Sequence, residues 1–177
     1  LLEDPKLISH FPLDVFQTGS GTSSNMNANE VIANLASEIA GQEVNPNDHV
    51  NFGQSSNDVI PTTILVSAAM SSKRKLIPAL EALRDEIIQK ADSVKGIIKT
   101  GRTHLMDAMP IDFSEELRAW SGQLNSSKEM LNILEKKFLE LPQGGTAVGS
   151  GINAHKQFSK YFAQEITKLT GNKSRYI

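Results

Sequence analysis

Apolar positions along this chain recur mostly at intervals of three and four, the spacing that lines one face of a helix. Val31, Ile32, Leu35 and Ile39 form the first such run, with Asn25 or Asn27 as its cap and Gly41 as its stop. Asn, Asp and Pro46 crowd the stretch from Gln42 to Phe52, which predicts a loop. A long helix is predicted from about Pro61 to Lys95, with Leu76, Leu80, Leu83, Ile87, Ala91 and Val94 on one face. Pro78 falls inside it and predicts a bend or a join. After a connection from Gly96 to Pro110, a second long helix is predicted from about Phe113 to Leu141. Its stripe is Phe113, Leu117, Trp120, Leu124, Leu131, Leu134 and Phe138, and Pro142 ends it. A last helix, about Ala154 to Thr170, carries Phe158, Phe162, Ile166 and Leu169. Strand patterns are nearly missing, and no repeat or low-complexity tract interrupts the chain. The expected fold class is all-α. Two helices of roughly 30 residues would each run ~45 Å, longer than a compact chain of this length is wide. That predicts a larger helical bundle shared between subunits.

Between these plain helical stretches lie three clusters of small polar residues: Gly19–Asn27, Gln54–Asp58 and Gly101–His104. The first can be a turn feeding an Asn-capped helix. Equally, Ser20, Thr22 and backbone N–H groups at a helix start can form a nest for an anion. The second offers Ser55, Ser56 and Asn57 in succession, more than one helix cap requires, which points to a ligand. In the third, His104 is a lone histidine of the kind that is more often structural. Its neighbours Arg102 and Thr103 can hold a carboxylate, and Asp107 can orient an imidazole. His10, His49 and His155 have no such company, and no pair of histidines has metal-ligand spacing. The glycine run from Gly144 to Gly151 is a mobile or tightly turned loop. It has phosphate-loop spacing, but Ser150 stands where that chemistry needs Lys, which excludes nucleotide binding.

Composition narrows the picture further. At 177 residues the chain can bury one domain's core, and its formal net charge of −2 argues against a nucleic-acid surface. The densest basic run, Lys73–Lys75, sits in a helical pattern and reads as a solvated face. No apolar run approaches the roughly 20 residues that span a bilayer. Cysteine is absent, so no thiol nucleophile or thiolate metal site exists, and a cytoplasmic setting (or a mitochondrial matrix, in a eukaryote) is expected. The chain starts at Leu1 without an initiator Met and stops at Ile177 without a polar tail, so a fragment is expected.

Taken together the segments resemble class II fumarases. Gln17–Asn27 followed by Asn29–Asn34 carries the likeness. So do Asn47–Asn51 with Gln54–Asp58, Gly101–Leu105 with Asp107 and Ala108, and Gly144–Gly149 with Gly151 and Asn153. Within that superfamily, aspartases typically show Ala, Thr and Gln where this chain has Ser20, Ser56 and His104, so these three positions favour the fumarase pattern. Asn45 departs from it, since fumarases usually carry His at the start of the Pro46-Asn47-Asp48 loop, where they form an accessory dicarboxylate site. The runner-up readings are an aspartase and a non-catalytic helical oligomerisation module.

The resemblance implies reversible anti hydration of fumarate to L-malate within the tricarboxylic acid cycle, by a homotetramer whose active sites are shared between subunits. It implies no metal or organic cofactor. By the same likeness, His104 is the catalytic proton donor or acceptor, while Ser20, Gly21, Thr22, Ser55, Ser56, Asn57 and Thr103 bind substrate. Residues 1–55 would close a small N-terminal domain, and 56–177 would open the central helical-bundle domain. A downstream flexible loop that supplies the family's catalytic base is not in this chain, so the fragment alone is expected to be inactive.

Overall fold

The computed structural model describes residues 5–17, 19–171 and 174–176. Helices dominate it. They are α1 (Thr22–Ala40), α2 (Ser56–Ser71), α3 (Ile77–Ser93), α4 (Phe113–Phe138) and α5 (Phe158–Thr170). The strands are β1 (Ile98–Thr103) and β2 (Met106–Asp112), which form an antiparallel hairpin, and the two-residue β3 (Glu140–Leu141) and β4 (Arg175–Tyr176), which pair in parallel. The all-α class holds. The hairpin is a departure within it, occupying what reads in the sequence as a plain connection.

The chain divides into two compact units, one formed by residues 1–67 with 139–177 and the other by 68–138. In the first, α1 begins at Thr22, earlier than an Asn25 or Asn27 cap would place it. Its cap is Gly21 in the left-handed region (φ 63°), with no side chain closing the helix end. Asn25 and Asn29 are buried instead, and both amides reach Asn51 Oδ1, at 3.4 and 3.1 Å. That network fastens the segment after α1, where the expected loop contains one wide π-type turn, Pro46–Val50. α5 starts at Phe158, the first residue of its apolar stripe and four residues later than the expected start at Ala154, and pairs Phe158 with Phe162 at 6.1 Å between ring centroids.

The second unit is built on α3 and α4. Ala91, Val94 and Leu117 are buried together, with Ile87 and Phe113 packed against them. Lys128 Nζ donates to Glu81 Oε1 at 2.6 Å, and Arg118 pairs with Asp92, tying the same two helices from the wet side. Five residues, Ser72–Leu76, form a π-type turn just ahead of α3, and Pro78 sits in that helix's first turn. Leu76 and Ile77 are right-handed helical, so the wide turn runs straight into α3, and Pro78, which has no N–H, sits where the regular hydrogen-bond ladder is interrupted. Much of each expected stripe stays uncovered: Leu83, Trp120 and Leu134 are about half exposed.

Candidate functional site

Two helix N-termini meet in the first unit. The first N–H groups of any α-helix lack an acceptor inside it, and its N-terminus carries roughly half a positive charge. Gly21, at the cap of α1, has no side chain to accept from them. Thr22, its first residue, places Oγ1 3.1 Å from Oγ of Ser56, the first residue of α2. The Thr22 hydroxyl is also 3.5 Å from Ser20 Oγ. Three hydroxyls thus sit where two helix dipoles converge. Gly21 allows the approach, because a Cβ there would lie 2.7 Å from Ile60 Cδ1 and the backbone is left-handed.

Ser55 and Asp58 close the start of α2 reciprocally, in the manner of a capping box. Asn57 N donates to Ser55 Oγ at 3.2 Å, and Ser55 N donates to Asp58 Oδ1 at 3.0 Å. Accepting that bond leaves the Ser55 hydroxyl proton free to donate outward. The Asn57 amide donates to Ala147 O at 3.0 Å, which joins this cluster to the glycine loop. That loop is tightly turned rather than loose: Gly144, Thr146, Gly149, Gly151 and Asn153 all have positive φ.

Asn45 has a local task. Its side chain accepts from Asn47 N at 2.8 Å and Asp48 N at 2.9 Å, and its own N–H donates to His49 Nδ1 at 2.8 Å. A residue committed to capping the turn gives a physical reason for Asn at this place. Asn47 and Asp48 line a cavity of about 560 Å³ together with Ser55, Thr146 and Asn153.

Thr103 and His104 lie in the other unit, on the β1–β2 hairpin. Thr103 pairs with Met106, so His104 and Leu105 are the two turn residues. Both are left-handed, with φ of 52° and 63°. Such a turn matches the right-handed twist of the strands, but it favours Asn and Gly. A non-glycine residue in that conformation costs about 1 kcal/mol or more. The tip therefore holds strain where the histidine is presented. His104 is exposed, and no hydrogen bond to its ring occurs among the described residues. Asp107, expected to orient the imidazole, faces Arg102 instead, at 3.5 Å.

The base of the hairpin is held by Asp112. Its Oδ1 accepts from Ser114 N and its Oδ2 from Gly96 N, both at 2.8 Å. Hydrogen bonds from the Ser114 side chain and backbone, then from Gly96, hold this carboxyl below its ordinary range. Halfway along, Gly101 is buried at a β-bulge, a shift of register between Thr100 and Arg102.

Asp58 and Asp112 are the residues that motif reading passes over. The signal for each is local, an Asp three residues after Ser55 and an Asp just before a long helix. Among the described residues no cluster of three or more His, Asp or Glu is placed to hold a metal, and no helix is long and apolar enough to cross a membrane.

A family model described as "Lyase" matches residues 1–176. The chain is 56% identical over 164 residues to fumarate hydratase class II 2 of Pseudomonas aeruginosa, a match covering 93% of this chain and 36% of that protein. It is 50% identical over 171 residues to the class II fumarate hydratase of Thermus aquaticus, covering 94% and 37%. Among solved structures, the class II fumarase of Schistosoma mansoni superposes with a TM-score of 0.85 at 41% identity, covering 92% of this chain and 35% of that one. The chain thus spans about a third of the length of the relatives it matches.

Proposed function

We propose, from the premise that this chain belongs to the lyase family, that its residues form part of a class II fumarate hydratase interconverting fumarate and L-malate. The observation that carries the reading is the meeting of Thr22 and Ser56 hydroxyls, 3.1 Å apart, at two helix N-termini. Such a place suits a carboxylate: hydroxyl donors lie beside the positive ends of two helix dipoles, and no full positive charge is needed.

The chemistry follows from that preference. Removing a proton beside a carboxylate puts further negative charge on its two oxygens. Donors fixed in advance where that charge grows stabilise the transition state more than the bound substrate. Ser20, Thr22, Ser55, Ser56 and Asn57 serve as those donors, with Gly21 as the backbone link and Thr103 as a further contact. His104, at the tip of its hairpin, exchanges the proton of the departing or arriving hydroxyl through a water. A positioned acid or base of this kind contributes about 10²–10⁴-fold.

The working enzyme is a homotetramer whose shared active sites bring together the clusters of several subunits, acting in the tricarboxylic acid cycle in the cytoplasm. Residues up to about 55 close its N-terminal domain and those from 56 open the helical bundle. The uncovered apolar faces of Leu83, Trp120 and Leu134 support an assembled state. The residues Asn45, Pro46, Asn47 and Asp48 form the rim of an accessory carboxylate site. The aspartase alternative is disfavoured by Ser20, Ser56 and His104. Comparing turnover of L-malate with that of L-aspartate by the full-length protein tests the reading: malate dehydration without ammonia release supports it, and ammonia release from aspartate overturns it.

A further inference from the structure

Asp58 is the buried ionisable side chain that the mechanism above leaves unused. It is 2% exposed, and no cation pairs with it among the described residues. Three backbone N–H groups point at it instead. Ser55 N reaches Oδ1 at 3.0 Å, while Gly144 N and Thr146 N reach Oδ2 at 3.0 and 2.8 Å. One oxygen therefore faces the substrate-side cluster, and the other faces a glycine loop 86 and 88 residues further along the chain. Returning the connection, the Asn57 amide donates to Ala147 O at 3.0 Å.

We propose that Asp58 is a positioning residue, which uses the rigid turn Gly144–Ala147 as an anvil to fix the direction of the Ser55, Ser56 and Asn57 donors. The inference rests on the hydratase reading of that cluster. Geometry supports it at both ends. A carboxylate held by three N–H dipoles is fixed in both rotation and depth, since each bond to a charged acceptor is stronger than a neutral one. The residue it fixes, Ser55, is in turn the cap of α2, so its hydroxyl and the first N–H groups of that helix move together. The loop end is stiff as well, with Thr146 held left-handed at φ 58° and 93% buried (7% exposed).

Asn at this position keeps size and shape but has one acceptor oxygen only. Its NH2 group must then face either Ser55 N–H or the N–H groups of Gly144 and Thr146, donor against donor. One side of the clamp opens either way. Misplacing catalytic groups by about 1 Å costs about 10²-fold in rate, so Asp58→Asn in the full-length protein is expected to lower kcat about 10²-fold, with KM within a few-fold of the parent. The measurement is made on protein whose circular dichroism and oligomeric state match the parent. A folded Asp58→Asn with kcat unchanged overturns the proposal, as does a loss confined to KM or to thermal stability. An inactive parent, by contrast, overturns the hydratase reading and not the clamp.

A second measurement covers the case where the variant does not fold. Coupling between sites is reciprocal, so a dicarboxylate bound at the Ser55–Asn57 cluster must stabilise the clamp. Saturating succinate is expected to slow amide hydrogen exchange at Ser55, Gly144 and Thr146 of the parent at least several-fold. Unchanged exchange at Gly144 and Thr146, with succinate bound, overturns the proposal.

Discussion

Two glycine-to-alanine substitutions in the same unit should act with opposite sign, and the reason lies in what the added methyl meets. At Gly101 a Cβ would sit 2.6 Å from Met109 O, a backbone atom of the partner strand. Ordinary contact begins at about 3.4 Å, so the strands must part by roughly 0.8 Å. Overpacking of this kind costs about 1–3 kcal/mol. At Gly122, inside α4, a Cβ meets nothing within 4 Å. There Ala restricts the unfolded chain and favours the helix, which is worth about 0.5–1 kcal/mol. Thermal unfolding of the full-length protein should therefore show Gly101→Ala melting lower than the parent and Gly122→Ala melting higher. The functional consequence should separate them further. Gly101 lies three residues before His104, and a displacement approaching 1 Å at the tip is expected to lower kcat about 10²-fold, whereas Gly122→Ala should turn over at the parental rate. Parental melting and parental kcat for Gly101→Ala would refute the bulge as the device that sets the hairpin.

His104→Asn should reduce kcat by about 10²–10⁴-fold while leaving circular dichroism unchanged, and a near-parental kcat would return His104 to a structural role. Thr103→Ala should raise KM as well as lower kcat, and an unaltered KM would count against a direct substrate contact. Asp112 should make the fold sensitive to acid: its folded-state pKa is lowered from 3.8, chiefly by the hydrogen bonds of Ser114. A lowered carboxyl stabilises the fold fully above its ordinary value and loses that contribution as pH falls through the folded one. Asp112→Asn should therefore be less stable than the parent at neutral pH, with the gap closing below about pH 4 in pH-dependent unfolding curves.

Helical periodicity made most of this fold legible in the sequence. The stripes through Ile87, Ala91 and Val94 and through Phe113 and Leu117 became the buried face of α3 and α4. Pro78 marked a join, as its missing N–H requires. What stayed hidden depends on contacts far apart in the chain or on conformations without a residue signature. Asn25 looks like a cap, yet together with Asn29 it serves Asn51, more than twenty residues away. The β1–β2 hairpin shows no alternation because Ile98, Met106 and Met109 are all exposed, so burial does not imprint a period of two. Its turn uses His104 and Leu105 where such turns ordinarily take Asn and Gly. Ser20, Thr22, Ser55 and Ser56 were visible as clustered hydroxyls. That Thr22 and Ser56 touch was not, since 34 residues separate them. The same holds for the bond from Asp58 to the glycine loop.

Two helix N-termini, joined through Thr22 and Ser56, are proposed to hold a substrate carboxylate. A crystal structure of the full-length protein with succinate bound tests it most directly. A carboxylate oxygen is expected within hydrogen-bonding distance of both Thr22 Oγ1 and Ser56 Oγ. A dicarboxylate found only at the Asn47–Asp48 turn, with the two hydroxyls still bonded to each other, would contradict it.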